Sequence, residues 1–177
     1  MKYLDCIEPV QAPAETDDGD ARLCAADINP DTGLATDYLN HFNEAIMLLE
    51  MLPACPDCLD DFLAWRPMSY REHFAASRFK GRGLVIAAYN AAEPGLREYL
   101  DALAVTMTVV LETTRTAIRA DASSEAAGLI AAHAVACLKP LIARAGAVIG
   151  GGVDPESGDP AAVQAMVDEL MQQRSIS

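Results

Sequence analysis

Basic residues are scarce in this sequence, with 13 lysines and arginines against 26 aspartates and glutamates in 177 residues. The formal net charge is −13, and the isoelectric point lies near 4.4. This charge argues against nucleic acid or an anionic membrane surface as a partner, because both repel an acidic protein. It is compatible with a basic protein partner, and it also serves solubility.

The sequence also predicts neither a membrane span nor a secretory leader. The uncharged stretch Ala126–Leu138 contains a histidine and falls short of the roughly 18 apolar residues that a membrane span requires. Lys2, Asp5 and Glu8 interrupt the N-terminus, which is therefore unlike a secretory signal. The sequence thus predicts a cytoplasmic protein that contacts no membrane and keeps its five cysteines reduced.

Strand-like alternation of apolar and polar residues is absent, whereas helical spacing recurs along the chain. Hydrophobic residues make up 51% of the sequence, enough for the core of one domain. Residues 94–120 and 123–150 carry apolar residues at steps of three and four, which predicts two long helices. Their short connection favours an antiparallel pair. We therefore predict an all-α fold, a single-domain multi-helix bundle built on this pair.

The first long helix is the expected centre of the core. Leu103 and Met107 lie on its apolar stripe, and we expect both to be buried. Val105 and Val109 widen that stripe, which predicts cover on more than one side of the helix. In the second long helix, Pro140 removes a backbone hydrogen bond, which predicts a kink or a break.

The remaining chain divides into an arm and shorter helices. Residues 1–30 are interpreted as an irregular acidic N-terminal arm, and residues 31–177 as the helical bundle domain. Ser69 and Glu72 form a capping-box pattern, which opens a short helix ending near residue 77. Further helices are predicted over about 35–52, 56–64, 84–92 and 160–173.

The sharpest local motif is Cys55-Pro56-Asp57-Cys58. With Pro56 in the first helical position, Cys55 would cap the helix, and the helix dipole would lower the pKa of its thiol. The motif is similar to the CxxC of all-helical disulfide peroxidases of the alkylhydroperoxidase D family, which implies catalytic roles for Cys55 and Cys58. That family carries a histidine four residues after the second cysteine, where this chain has Phe62. The alternative is a structural pair of small cysteines.

Two helical spacings are candidates for metal binding. His41 and Glu44 stand three residues apart, and His133 and Cys137 stand four apart. Each pair could present two ligands from one helix, and four ligands would converge if the helices were neighbours. The Glu-x-x-His motif of di-iron bundles and a second CxxC are absent from the sequence, however. His133 is otherwise a core or groove histidine, and no cofactor is assigned.

The stretch from Trp65 to Phe74 combines aromatic, basic and histidine side chains within an acidic chain. Such a mixture is typical of a groove for a peptide or a small acid. In the alternative interpretation Trp65 and Phe74 fill the core while the arginines face water. The candidate ligand-binding residues are Trp65, Arg66, Tyr70, Arg71 and His73.

Two acids interrupt apolar runs and would be functional if they were buried with a raised pKa: Glu50 and Glu112. Arg115 lies one turn from Glu112, which favours an ordinary intrahelical ion pair instead. Glu50 would face water in the corresponding alternative.

Two hypotheses about function follow from these patterns, since the sequence has no phosphate-binding loop and no hydrolase motif. The first is a non-enzymatic helical protein that binds a partner protein or a small ligand through residues 65–82. Its wide apolar helix faces favour a homodimer. The alternative is a redox or metal-dependent helical enzyme that uses Cys55 and Cys58 or a His/Glu site.

Overall fold

The computed structural model describes residue 23 and residues 27–120 and 123–152. This part of the chain is all-α, as predicted, and contains six helices and no strand beyond an isolated bridge between Ile28 and Ala35. The predicted helix over 160–173 and most of the predicted N-terminal arm lie outside the described residues. The helices are α1 (Tyr38–Met51), α2 (Cys58–Ala64), α3 (Tyr70–Ala76), α4 (Arg82–Ala91), α5 (Pro94–Ala120) and α6 (Ser124–Ile149).

The two long helices α5 and α6 begin and end close to the predicted residues, and they form the most extensive contact between any two helices of the described chain. Leu103 and Met107 have no exposed surface, which confirms their expected burial. Helix α6 continues through Pro140 to Ile149, so the break does not occur, whereas the alternative, a kink within a continuous helix, stays a prediction. Buried Leu138 and Leu141 flank the proline and hold both halves of α6 on the core, which offsets the lost hydrogen bond.

The loop before α1 packs against the bundle, and for this reason α1 begins at Tyr38 rather than near residue 35. Ile28 is buried, and the Thr32 hydroxyl donates a hydrogen bond of 2.7 Å to the Ile149 carbonyl at the end of α6. Gly33 makes the turn possible, because its φ of 70° lies in the left-handed region and a Cβ there would approach the Ala88 carbonyl oxygen to 3.1 Å.

The two short helices α3 and α4 position the residues of the candidate site. Helix α3 opens with the predicted capping box, in which the Ser69 hydroxyl accepts from the Glu72 backbone and the Glu72 carboxylate accepts from the Ser69 backbone. Helix α4 buries Val85 and Tyr89. Both helices leave part of α5 uncovered: Val105 is 63% exposed and Val109 is 45% exposed. The expectation that these valines would be covered is therefore wrong for this chain.

Candidate functional site

A groove of about 680 Å³ lies between helix α5 and the segment that joins α2 to α3. We call it the α5 groove. Residues 67–72 form one wall, and α5 contributes Ala104, Val105, Thr108 and Val109 as an apolar wall. The floor holds the aromatic rings of Tyr38, Tyr70 and Tyr89.

Tyr89 lies at one end of the α5 groove, where it contacts both Tyr70 and Asp101. Its ring stacks on Tyr70, with ring centroids 4.3 Å apart and an interplanar angle of 16°. Its hydroxyl donates to the Asp101 carboxylate, whose oxygens lie 2.7 and 2.8 Å away. Burial raises the pKa of Tyr70 to about 12. Burial and then the hydrogen bond to Asp101 raise the pKa of Tyr89. Both phenols therefore stay protonated at neutral pH and serve as platforms rather than bases.

Two arginines converge on Tyr89. The guanidinium carbons of Arg71 and Arg97 lie 5.7 and 5.9 Å from the centroid of the Tyr89 ring, within the range of cation–π contacts. Arg97 donates one hydrogen bond of 3.3 Å to the Asn90 carbonyl, and its buried Nε has no partner. Among the described residues, neither arginine has a carboxylate within 4.0 Å.

A second cluster lies beside the groove and consists of His41, Trp65 and His73; we call it the histidine cluster. The His41 ring stacks on Trp65 at a centroid distance of 4.7 Å and lies 5.9 Å from the His73 ring. The Trp65 indole donates a 3.0 Å hydrogen bond to the His41 carbonyl. The Nε2 atoms of both histidines are buried without a hydrogen-bond partner, although Asp37 lies 3.6 Å from that of His73. Burial and then the nearby His73 lower the pKa of His41.

The histidine cluster predicts an acid-sensitive fold. The unfolded chain binds a proton on His41 near the ordinary pKa of 6.5, whereas the folded chain resists it until a lower pH. The free energy of unfolding should therefore fall as pH drops below about 6.5, by up to about 1.4 kcal/mol for each unit by which the pKa is lowered. Guanidinium titrations at about pH 7.5 and about pH 5.5 measure this loss, and quenching of the single tryptophan, Trp65, reports protonation of the stacked imidazole.

The test variant for this titration is His41→Gln, and its matched control is His133→Gln. His41→Gln should reduce the pH dependence, because it removes the group whose pKa differs between the two states. His133 is exposed on α6, outside the histidine cluster, so its substitution should leave the pH dependence of the free energy of unfolding unchanged. Equal pH dependence in the original chain and in His41→Gln would contradict the role of His41.

The cysteine pair does not occupy the predicted helix-capping position. Helix α2 begins at Cys58 with Asp57 as its N-cap residue, so Cys55 lies before the helix. The prediction for Cys55 is wrong because residues 55–58 form a tighter turn, in which the Cys58 N–H donates to the Cys55 carbonyl at 3.1 Å. Both thiols are free. A hydrogen bond with Cys55, then burial, and then the charges of Asp61 and Asp57 raise the pKa of Cys58, which disfavours the thiolate that redox exchange requires.

The candidate metal ligands do not converge. His41 lies in the histidine cluster, whereas Glu44 is exposed on the same helix. His133 and Cys137 do approach each other on α6, with 3.9 Å between Nε2 and Sγ. Within the described ranges, no group of three or more His, Cys, Asp or Glu side chains is arranged to hold a metal ion.

The two acids that interrupt apolar runs both form ion pairs. Glu50 is exposed and lies 2.6 Å from Lys139 of α6. Glu112 lies 2.6 Å from Arg115, which confirms the predicted intrahelical pair. Neither acid lines the α5 groove. Their side chains are thus accounted for by helix packing and surface pairing.

Helix α6 also bears on the question of a membrane. By length and composition alone, residues Glu125–Ile149 are apolar enough to cross one, with a mean hydropathy of 1.7. Only 28% of that apolar window is buried within the described chain. Core helices of soluble proteins pass the same test, so this feature alone assigns no location.

The structure brings together only part of the predicted ligand site. Tyr70 and Arg71 line the α5 groove, whereas Trp65 and His73 belong to the histidine cluster and Arg66 is exposed beside it. Sequence reasoning missed the α4 and α5 residues of the groove. No family model, no curated protein and no solved structure matches this chain. The geometry and the lining of the α5 groove are therefore the basis for the proposed function.

Proposed function

We propose that this protein is a non-enzymatic, cytoplasmic binding protein whose α5 groove takes a small, largely apolar ligand. The observation that carries the proposal is the exposure of Val105 and Val109 on a helix whose opposite face is the centre of the core. Both valines line the groove, beside the buried rings of Tyr70 and Tyr89. Exposed apolar side chains that line one concave surface are typical of a binding site.

The size and lining of the groove support a small ligand. A volume of about 680 Å³ falls within the range of about 300 to 1,000 Å³ that is usual for ligand pockets. Covering the two valines contributes roughly 2 kcal/mol, and the ligand's own apolar surface adds to this. The sum is consistent with dissociation constants in the micromolar to millimolar range, roughly −8 to −4 kcal/mol.

The polar groups of the groove favour binding over catalysis. The Ser69 hydroxyl is held by Glu72, to which it donates a 2.7 Å hydrogen bond. The Asp101 carboxylate accepts from Tyr89, and the tyrosines stay protonated. These side chains fix the shape of the groove, and their donors and acceptors are already paired with one another. A rigid, pre-formed lining of this kind lowers the cost of binding a ligand.

The test is calorimetric titration with 1-octanol, a small neutral amphiphile. We expect saturable binding at one site, and we expect Val105→Asp and Val109→Asp to weaken it at least about tenfold, because a charge must then be desolvated against the alkyl chain. Leu129→Asp is the matched control. Leu129 is 70% exposed on α6 and does not line the groove, so its substitution should leave the affinity unchanged.

Another occupant of the same surface would give a different result. If the groove seats a second copy or a partner protein, 1-octanol will not bind. If the occupant is a second copy, sedimentation will show a dimer that Val105→Asp converts to a monomer of 18.9 kDa. If the occupant is another protein, the original chain and the Val105→Asp variant will both sediment as monomers. Either pattern contradicts the small-ligand proposal and indicates that the groove is a protein–protein interface.

A further inference from the structure

We infer that the Tyr89 end of the α5 groove is a carboxylate-binding subsite formed by Arg71 and Arg97, so that the ligand class is an apolar organic acid. This inference rests on the proposed function, because the acid's apolar part occupies the groove described above. It adds a chemical class and an orientation to that ligand.

Arg71 and Arg97 both contact the ring of Tyr89. The chain has only 13 basic residues, yet two of them meet at one aromatic ring without a carboxylate within 4.0 Å among the described residues. Like charges that share a ring repel each other, and an anion bound between them relieves that repulsion. Guanidinium groups also match the planar geometry of a carboxylate, with which they form two parallel hydrogen bonds.

The acids near the two arginines accept hydrogen bonds from other donors. Asp101 accepts from the Tyr89 hydroxyl, and Glu72 accepts from the Ser69 backbone and hydroxyl at 2.8 and 2.7 Å. Glu93 accepts from two backbone N–H groups at the start of α5, at 2.9 and 2.7 Å. The two backbone bonds and then the charge of Arg97 lower the pKa of Glu93. Apart from the Arg97 Nη1 that donates to the Asn90 carbonyl, the guanidinium donors have no hydrogen-bond acceptor within the described chain, and the buried Nε of Arg97 is one of these free donors.

The side chains along α5 change from charged to apolar in the order of the sequence. Arg97, Asp101, Val105 and Val109 are spaced by four residues, so they form one row that winds by roughly 120° around the helix, and all four line the groove. The row passes from charged to apolar over 12 residues, or about 18 Å at the helical rise. A ligand that follows it places its carboxylate at the Arg97 end and its apolar chain over the two valines.

The surrounding negative charge limits how strongly the two arginines favour a carboxylate over a neutral head group. Glu72, Glu98 and Asp101 also line the groove, and the whole chain carries −13. These charges raise the cost of bringing an anion from solution. We therefore expect the two arginines to favour a carboxylate over a neutral head group by about tenfold, toward the lower end of what charge-assisted hydrogen bonds supply.

The experiment compares three probes with the same alkyl chain: octanoate, 1-octanol and octylammonium. Octanoate should bind the original chain about tenfold more tightly than 1-octanol, and added salt should reduce the difference. In the double variant Arg71→Gln and Arg97→Gln, the ratio of octanoate affinity to 1-octanol affinity should fall to about one, and helical circular dichroism checks that the variant is folded. Arg119→Gln is the control, because Arg119 is exposed on α5 and lies outside the groove.

The remaining outcomes separate the two proposals. If 1-octanol binds and octanoate binds no more tightly, the carboxylate subsite is wrong and the proposed function stands. If neither probe binds, the proposed function fails as well. Tighter binding of octylammonium would show that Glu98 and Asp101 dominate the electrostatics of the groove, which would overturn the inference. A helical circular dichroism spectrum like that of the original chain shows that the double variant is folded, so a lost preference is assigned to the arginines.

Discussion

Leu103→Ala should lower the free energy of unfolding by about 2 to 5 kcal/mol. Leu103 has no exposed surface and lies near the middle of α5, on the face that contributes most to the core. Its truncation removes apolar contacts and leaves a cavity that rigid neighbouring helices close only in part. Urea titration followed by circular dichroism at the helical band measures the loss, with the slope of the transition as a check that unfolding remains cooperative.

The matched control for this substitution is Val105→Ala, two residues along the same helix. Val105 is 63% exposed, so its truncation should change stability by less than about 0.5 kcal/mol. Alanine also has the higher helix propensity, which offsets part of the lost contact. A loss below about 1 kcal/mol for Leu103→Ala, or equal losses for both variants, would contradict the assigned core face.

The long helices were predictable because their signals are local. The apolar spacing of α5 and α6 and the capping box at Ser69 depend on residues within a turn or two of each other. The start of α1 was misplaced because a non-local contact decides it. The Ala35 N–H donates a 2.9 Å hydrogen bond to the Tyr70 hydroxyl, 35 residues away, and Ala35 pairs with Ile28 in an isolated bridge, so residue 35 is held outside the helix.

The α5 groove was not predictable from periodicity. Val105 and Val109 extend the apolar stripe of α5, and the spacing of a stripe does not show whether another helix covers it. Cover depends on the length and placement of α3 and α4, which have seven and ten residues. Tyr70 and Arg71 were identified from local composition, whereas Tyr89 and Arg97 join the site only through tertiary packing.

The cysteine motif shows how a local pattern can mislead. Proline in the first helical position is a general preference, but here the helix begins two residues later, at Cys58. The helix dipole was expected to act on Cys55, which lies before the helix, whereas the hydrogen bond with Cys55, burial, and then the charges of Asp61 and Asp57 raise the pKa of Cys58. The spacing of two cysteines was therefore less informative than where the helix begins and what surrounds the second thiol.

Arg115→Ala should lower the free energy of unfolding by about 3 kcal/mol, more than its ion pair alone explains. Arg115 is 5% exposed, and its Nη2 donates a 2.5 Å hydrogen bond to the Trp65 carbonyl, 50 residues away in the chain. Its guanidinium carbon also lies 5.9 Å from the ring centroids of Phe62 and Trp65. Truncation removes one of two donors to the Trp65 carbonyl, which keeps a 2.9 Å hydrogen bond from Arg66, and it also removes the packing of the buried arginine stem.

Glu112→Gln separates the two roles of Arg115, because it removes the ion pair and leaves the contact with Trp65. The Glu112 side chain is 43% exposed, so solvent screens the pair, and its loss should cost less than about 1 kcal/mol. Denaturant titrations of both variants give the comparison, and Trp65 emission should shift only in Arg115→Ala. If Glu112→Gln costs as much as Arg115→Ala, the surface pair rather than the bond to Trp65 stabilises this region. If Arg115→Ala lowers the free energy of unfolding more than Glu112→Gln does, as we expect, then Arg115 fixes the segment between α2 and α3, and with it one wall of the α5 groove.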